Sequence, residues 1–162
     1  MAIIYCDMDG VLADFKPAAV RTTGMSINKW MNIPSSKEKW SLIKQKKDFW
    51  STLPWMPGGR QLWSYISKHD PHILSAYVEE SFDPNCIPGK TAWLRKNTGL
   101  SNRSKINLVR RKDKKLFAKR GKPSILIDDY EKNVRDFINA GGQAIHHTNT
   151  SKTISQLKRL GF

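Results

Sequence analysis

Ala2-Ile3-Ile4-Tyr5-Cys6-Asp7-Met8-Asp9-Gly10 is the stretch from which the fold is read. Five β-prone residues run without a charged break, then stop at two carboxylates and a glycine. A strand apolar on both faces belongs inside a sheet covered on both sides, as parallel α/β sheets are. The pattern returns three times. His72-Ile73-Leu74-Ser75-Ala76 follows Pro71, Ser124-Ile125-Leu126-Ile127 stops at Asp128-Asp129, and Gln143-Ala144-Ile145-His146-His147 follows Gly141-Gly142. Helical patterns lie among these runs. Lys90–Asn97 ends before Gly99, Glu131–Ala140 carries Val134, Phe137 and Ile138 inward, and Thr153–Leu160 closes the chain. Strands alternating with helices predict an α/β fold, with a mostly parallel, four-stranded sheet flanked by helices.

Residues 17–70 read differently. They hold Trp30, Trp40, Trp50, Trp55 and Trp63 with charged residues between. Ile27, Trp30 and Met31 recur at helical spacing, as do Trp40, Ile43 and Lys47. Leu53-Pro54-Trp55-Met56-Pro57-Gly58-Gly59 breaks the chain, and Leu62, Trp63 and Ile66 resume a helical face over Arg60–Lys68. The expected organisation is a core of residues 1–16 and 71–162, with 17–70 as a small helical insertion.

The 162 residues suffice for one compact domain with such an insertion. With 39% apolar residues, 26% charged residues, 6 Trp and 6 Phe, the chain is too aromatic for disorder and too polar for a membrane protein. No apolar run approaches the roughly 18 residues of a membrane span. The N-terminus lacks the basic start of a signal peptide. Two cysteines, Cys6 and Cys86, make no disulfide framework, so free thiols in a reducing cytoplasm are expected.

The net charge of +14 is unevenly spread. Residues 1–89 hold 10 basic and 9 acidic side chains, and residues 123–162 hold 5 and 4. Residues 90–122 hold 13 basic side chains against Asp113 alone. Such a segment is either a surface facing nucleic acid or another polyanion, or a solvated basic face.

Three of the apolar runs end in groups that do chemistry: Asp7 and Asp9, Ser75, then Asp128 and Asp129. Singly, each has a plain reading as a turn, a cap or a helix start. Together they matter more, because ligands of open parallel sheets bind beyond the carboxyl ends of the strands. Four carboxylates in one crevice call for a hard cation, and Mg²⁺ is the expected one. Carboxylates, Mg²⁺ and a lysine are an outfit for phosphoryl transfer. One Asp can serve as nucleophile, and a second two residues on can serve as acid and base.

These residues resemble a known family. Asp7-Met8-Asp9-Gly10-Val11-Leu12-Ala13-Asp14-Phe15 is similar to motif I of the haloacid dehalogenase-like (HAD) phosphatases. Ile73-Leu74-Ser75 is similar to their motif II, and Ile125-Leu126-Ile127-Asp128-Asp129 to their motif IV. Within that superfamily the chain most resembles the 5'(3')-deoxyribonucleotidases, through Phe15, Phe49-Trp50, Leu53, Met56-Pro57-Gly58-Gly59 and Lys90-Thr91-Ala92-Trp93-Leu94. The likeness spans residues 3–135.

The resemblance implies a Rossmann-like core with residues 17–70 as a cap between motifs I and II. It implies a Mg²⁺-dependent phosphatase acting on (deoxy)nucleoside monophosphates through an aspartyl-phosphate. Asp7 would attack phosphorus. Asp9 would act as acid and base, with its backbone carbonyl on Mg²⁺, and Asp128 and Asp129 would complete the metal site. Ser75 would hold a phosphate oxygen. Phe15, Phe49 and Trp50 would line a base pocket, while Trp30, Trp40 and Trp63 read as cap core. Motif III asks for a lysine. Lys114 stands first, with Lys90 and Lys105 as the other candidates. Ser75-Ala76-Tyr77 departs from the expected Thr-Ser pair, and Ala76 stands at the substrate side of motif II. Two other readings remain: a phosphatase for 3'- or 5'-phosphates at nucleic-acid ends, and a nucleic-acid-binding protein on the same fold. Residues 90–122 would then contact the nucleic acid.

Overall fold

A computed structural model of the chain describes residues 2–119 and 123–162. Arg120 and Lys122 of the basic segment lie outside the described residues. Among the described residues, five strands form one all-parallel sheet. They are β1 (Ile3–Cys6), β2 (His72–Ala76), β3 (Ile106–Val109), β4 (Ser124–Asp128) and β5 (Gln143–His146), in the spatial order β3-β2-β1-β4-β5. Helices α1 (Phe15–Thr23), α2 (Ile27–Met31) and α3 (Ser36–Gln45) lie between β1 and β2, with α4 (Gly59–Ser67) after them. Helix α5 (Cys86–Thr98) precedes β3. A 3-10 helix (Arg111–Lys119) precedes β4, and α6 (Glu131–Asn139) and α7 (Thr150–Arg159) flank β5.

The chain forms two compact units. The sheet unit holds Met1–Ala13, Trp55–Ala76 and Asn102–Phe162, and the helical unit holds Asp14–Pro54 and Tyr77–Ser101. This differs from the division expected above in two segments. Helix α4 belongs with the sheet, because its ends are tied to the C-terminal helix region: Thr150 Oγ1 donates to the Gly58 carbonyl at 2.8 Å, and Tyr65 Oη to the Phe162 carbonyl at 2.8 Å. Residues 77–101 belong with the helices. Trp93 Nε1 donates to the Leu53 carbonyl at 2.7 Å, and Asn85 Nδ2 to the Lys44 carbonyl at 3.2 Å.

In the sheet unit the central strands are the most apolar. All five residues of β4 are buried, and Cys6 of β1 stands in register with Ile73 on one side and Ile127 on the other. Alternation along the strands turns Tyr5, Leu74 and Leu126 to one face. There Phe117 and Ala118 of the 3-10 helix and Phe137 of α6 complete a buried cluster. The Tyr5 ring meets Phe117 edge-on, with centroids 5.5 Å apart. The edge strand β5 is buried only at Ile145.

Sequence reading finds four of the five strands. It passes over β3, Ile106-Asn107-Leu108-Val109. This edge strand has four half-buried residues, includes an asparagine, and sits between Lys105 and Arg110. Its charged flanks and short length hide it.

The helical unit is built around aromatic rings. Phe15 has ring centroids 5.5 Å from Trp30 and Trp50 and 5.6 Å from Phe49. Trp50 Nε1 donates to buried Asp83 at 2.7 Å. Serine caps start α2 and α3: Ser26 Oγ accepts from the Lys29 N–H, and Ser35 Oγ from the Glu38 N–H. Among the described residues, no helix is long and apolar enough to cross a membrane, and Cys6 and Cys86 are buried thiols.

Candidate active site

The sheet reverses its winding between β1 and β4, and the carboxyl ends of these neighbours carry the acidic residues. Asp7 follows β1, Asp128 ends β4, and Asp129 follows it. A switch of this kind leaves a crevice at the strand ends, because the connections depart in opposite directions. Asp7, Asp128 and Asp129 each place a carboxylate oxygen within 4.8 Å of the other two. Asp7 is 6% exposed and Asp128 is fully buried.

Lys114 enters this cluster from the 3-10 helix and is 3% exposed. Its Nζ lies 2.8 Å from Asp128 Oδ2 and 3.2 Å from Asp7 Oδ1. Burial opposes its charge, but Asp7 and Asp128 outweigh that and hold its pKa above the ordinary lysine value. Of the other two lysines considered for this role, Lys105 is engaged elsewhere. Lys105 pairs with Asp70 at the amino edge of β2 and β3, the opposite end of the strands. Lys90 lies in the helical unit, buried, with Nζ 5.2 Å from the Trp50 ring centroid.

One ammonium does not balance the site. Burial, and after it the charge of Asp7, pushes Asp128 up to about 6, against the pull of Lys114. Burial, then Asp7 and Asp128, pushes Asp129 up to about 7, and Asp9 adds to the rise. The Asp9 side chain is outside the group of three, yet close enough to be felt by Asp129. Ser75 is buried at the end of β2, with Ala76 half-buried beside it. β2 is the other neighbour of β1, so Ser75 flanks the site.

Three supporting residues escape sequence reading. Asn133 Nδ2 donates to Asp128 Oδ2 at 3.1 Å. The one signal for it is a polar residue on the otherwise apolar face formed by Val134 and Phe137. His146 Nε2 lies 3.0 Å from the Asp129 carbonyl, which can only accept, so that nitrogen carries the proton. His147 is buried, with Nδ1 2.7 Å from Thr153 Oγ1, and its backbone N–H donates to the Asp128 carbonyl at 2.8 Å. Burial, then the neighbouring His146, lowers its pKa.

The turn after β1 brings Asp7 and Asp129 together. The Met8 N–H donates to Asp7 Oδ1 at 2.8 Å, and the Leu12 and Ala13 N–H groups close back on the Met8 carbonyl. Gly10 has φ +79°, and a methyl added there would collide with the Asp129 carboxylate. Gly10→Ala is therefore expected to lower the melting temperature by several degrees, matching a loss of about 1–3 kcal/mol. It should also displace Asp129 and cut any metal-dependent activity. Unchanged melting would show that the turn absorbs the methyl.

The aromatic candidates all belong to the helical unit. Phe49 and Trp50 are 1% and 2% exposed, the burial of core residues, while Phe15 is half-exposed.

No family model and no curated protein sequence matches the chain. Solved structures do. An L-2-haloacid dehalogenase from Xanthobacter autotrophicus aligns over 100% of this chain and 84% of its own, at 12% identity and a TM-score of 0.58. A hydrolase from Pseudomonas syringae aligns over 99% and 91%, at 18% identity and 0.54. A HAD family hydrolase from Deinococcus radiodurans, solved with bound phosphate and sodium, aligns over 99% and 88%, at 14% identity and 0.52. At such identities the likeness is one of fold: the all-parallel sheet flanked by helices is the Rossmann-like fold of the HAD hydrolases.

Proposed function

We propose that the protein is a phosphomonoesterase, and that its substrates are (deoxy)nucleoside monophosphates. The observation that carries the reading is the cluster of Asp7, Asp128 and Asp129 around buried Lys114, at the switch point of the sheet. The chemistry follows from what each group can do. Asp7 is the one member of the group of three directly beyond β1, and its Oδ1 is fixed by the Met8 N–H and by Lys114. That leaves Oδ2 to attack phosphorus and form an aspartyl-phosphate. Lys114 balances charge on the nucleophile and on the incoming phosphate. Asp9, two residues on, gives a proton to the leaving oxygen and later takes one from the water that releases phosphate. Ser75 donates its hydroxyl to a phosphoryl oxygen.

The donor set also fits a hard divalent cation. Its side-chain donors are all carboxylate oxygens, three of them gather within 4.8 Å, and burial, then mutual repulsion, holds two of those carboxyls above their usual pKa. Asp7, Asp128 and Asp129 would hold Mg²⁺ together with the Asp9 backbone carbonyl, and the ion supplies charge neutralisation at the phosphoryl oxygens.

The nucleotide assignment draws on the residues shared with the deoxyribonucleotidases. In this reading the half-buried Phe15 ring meets the base, with Phe49 and Trp50 as its buried support. A phosphate-release screen tests both levels. Nucleoside monophosphates, sugar phosphates and a small aryl phosphate are compared with Mg²⁺ and with EDTA. Expected is release that needs Mg²⁺ and is at least about tenfold faster on nucleotides. Full activity in EDTA would remove the metal, and sugar phosphates as the best substrates would remove the nucleotide.

A further inference from the structure

Three consecutive exposed cations, Arg110, Arg111 and Lys112, continue the chain from the carboxyl end of β3. This is the edge of the sheet that carries Asp7 and Asp128. Only β2 separates β3 from β1, and Cys6 is level with Ile73 and Ile106, so the tip of β3 stands two strand spacings across and three residues further along, about 14 Å from the end of β1. The chain then enters the 3-10 helix and sends Lys114 to the carboxylates. Arg111 is placed differently from Lys114. Its guanidinium lies over the Tyr130 ring, 4.8 Å from the centroid. Tyr130 is 44% exposed, directly follows Asp128-Asp129, and donates its N–H to Asp128 Oδ1 at 2.9 Å. The lip of the carboxylate cluster thus carries an open aromatic ring, an arginine against it, and two further cations.

A mononucleotide has no use for this strip. Its charge is all on the phosphate that enters the cluster, and Lys114 meets that charge. A chain behind the phosphate does have use for it. Each of the three cations can meet one phosphate of that chain, so the strip serves about three of them. We propose that the site takes the terminal phosphate of a polynucleotide, with Arg110, Arg111 and Lys112 on the phosphates behind it and a base stacked on Tyr130. This rests on the phosphomonoesterase reading of the cluster. The step itself is ester hydrolysis. The bond from phosphorus to the terminal sugar oxygen breaks, that oxygen takes a proton from Asp9, and water releases inorganic phosphate from Asp7.

Binding is read on Asp7→Asn protein, which holds substrate without turning it over. A labelled single-stranded oligonucleotide with a 3'- or 5'-phosphate is titrated from about 50 to 200 mM salt. The expected log–log salt slope is about −2, from three phosphates at roughly −0.7 each. Adding Arg110→Gln, Arg111→Gln and Lys112→Gln together should weaken binding at least tenfold and flatten the slope by about two. Adding Tyr130→Leu should weaken it about tenfold with the slope unchanged, as loss of a stacked base does. Inorganic polyphosphate, which has no bases, should be indifferent to Tyr130→Leu. With otherwise wild-type protein, the triple Gln variant should lose at least tenfold more turnover on the phosphorylated oligonucleotide than on a mononucleotide. No oligonucleotide binding at about 50 mM salt, equal turnover losses on both substrates, or no effect of Tyr130→Leu on oligonucleotide binding would each overturn the proposal. Wild-type protein that releases phosphate from neither substrate sinks the phosphomonoesterase reading and this inference with it. Release from the mononucleotide alone, without oligonucleotide binding, sinks only the inference.

Discussion

Asp7→Asn protein is expected to lose at least about 10³-fold in phosphate release, some 4 kcal/mol of barrier, while melting no lower than the wild type. The two halves of this expectation have separate causes. Asparagine keeps an Oδ1 for the Met8 N–H and for Lys114, so the turn after β1 and the position of the lysine survive. What it lacks is the anionic oxygen that attacks phosphorus. It also removes a negative charge that helps push Asp128 and Asp129 up. Less repulsion in the folded state means equal or greater stability without metal. Thermal melting and phosphate release on one preparation check both. Activity near wild type would exclude Asp7 as nucleophile. Loss of activity together with a large drop in melting temperature would make Asp7 a structural residue.

That expectation was open to sequence reading because the carboxylates sit at the ends of strands apolar enough to be recognised. β1, β2 and β4 are buried on both faces, so their composition alone sets them apart. β3 has no such mark, since an edge strand needs only half the burial and its neighbours are charged. The start of α5 was hidden for another reason. The helix expected over Lys90–Asn97 begins earlier, at Cys86, and Pro88 lies in its first turn, where a missing N–H costs little. Gly89 is where the helix passes Trp50: a methyl there would stand 2.6 Å from the Trp50 Cβ.

Contacts distant in sequence were the least legible. Three lysines competed for one role, and what separates them lies far away in the chain. Asp70, 35 residues upstream, takes Lys105 at the wrong end of the sheet. Trp50 covers Lys90 in the helical unit. Lys114 reaches Asp7 across more than a hundred residues. His147 is silent for the same reason, since its backbone N–H meets Asp128 from the far end of β5, whereas Asn133 is close to Asp128 in sequence and is marked only by a polar side chain on an apolar helix face. The split of the chain shows it again: α4 lies within the stretch read as an insertion, but its polar ties run to Thr150 and Phe162.

Lys114→Met should be the most damaging single change to the folded protein, and its damage should depend on pH. The lysine is buried between Asp7 and Asp128, and methionine matches its length without its charge. Removing one partner of a buried ion pair costs about 3–5 kcal/mol, because the remaining charge is stranded. Here two carboxylates are stranded, and Asp129 is already crowded by them. Even with Lys114 present, Asp128 titrates at about 6 and Asp129 at about 7, above their values of roughly 4 in an unfolded chain. For groups raised on folding, the stability tied to their protons is complete below about pH 4 and is lost as pH rises through 6 to 7. Metal-free wild type should therefore lose stability from this cluster between about pH 4 and 7. In Lys114→Met the Asp128 pKa rises further, so the loss should be larger and continue to higher pH. Mg²⁺ should restore both proteins most at pH 8, where the carboxylates are ionised and free to bind it. Melting curves at pH 5, 6.5 and 8, each with EDTA and with Mg²⁺, give the answer. If the gap between variant and wild type is the same at every pH, Lys114 contributes packing rather than charge, and its place in the phosphoryl-transfer site is lost.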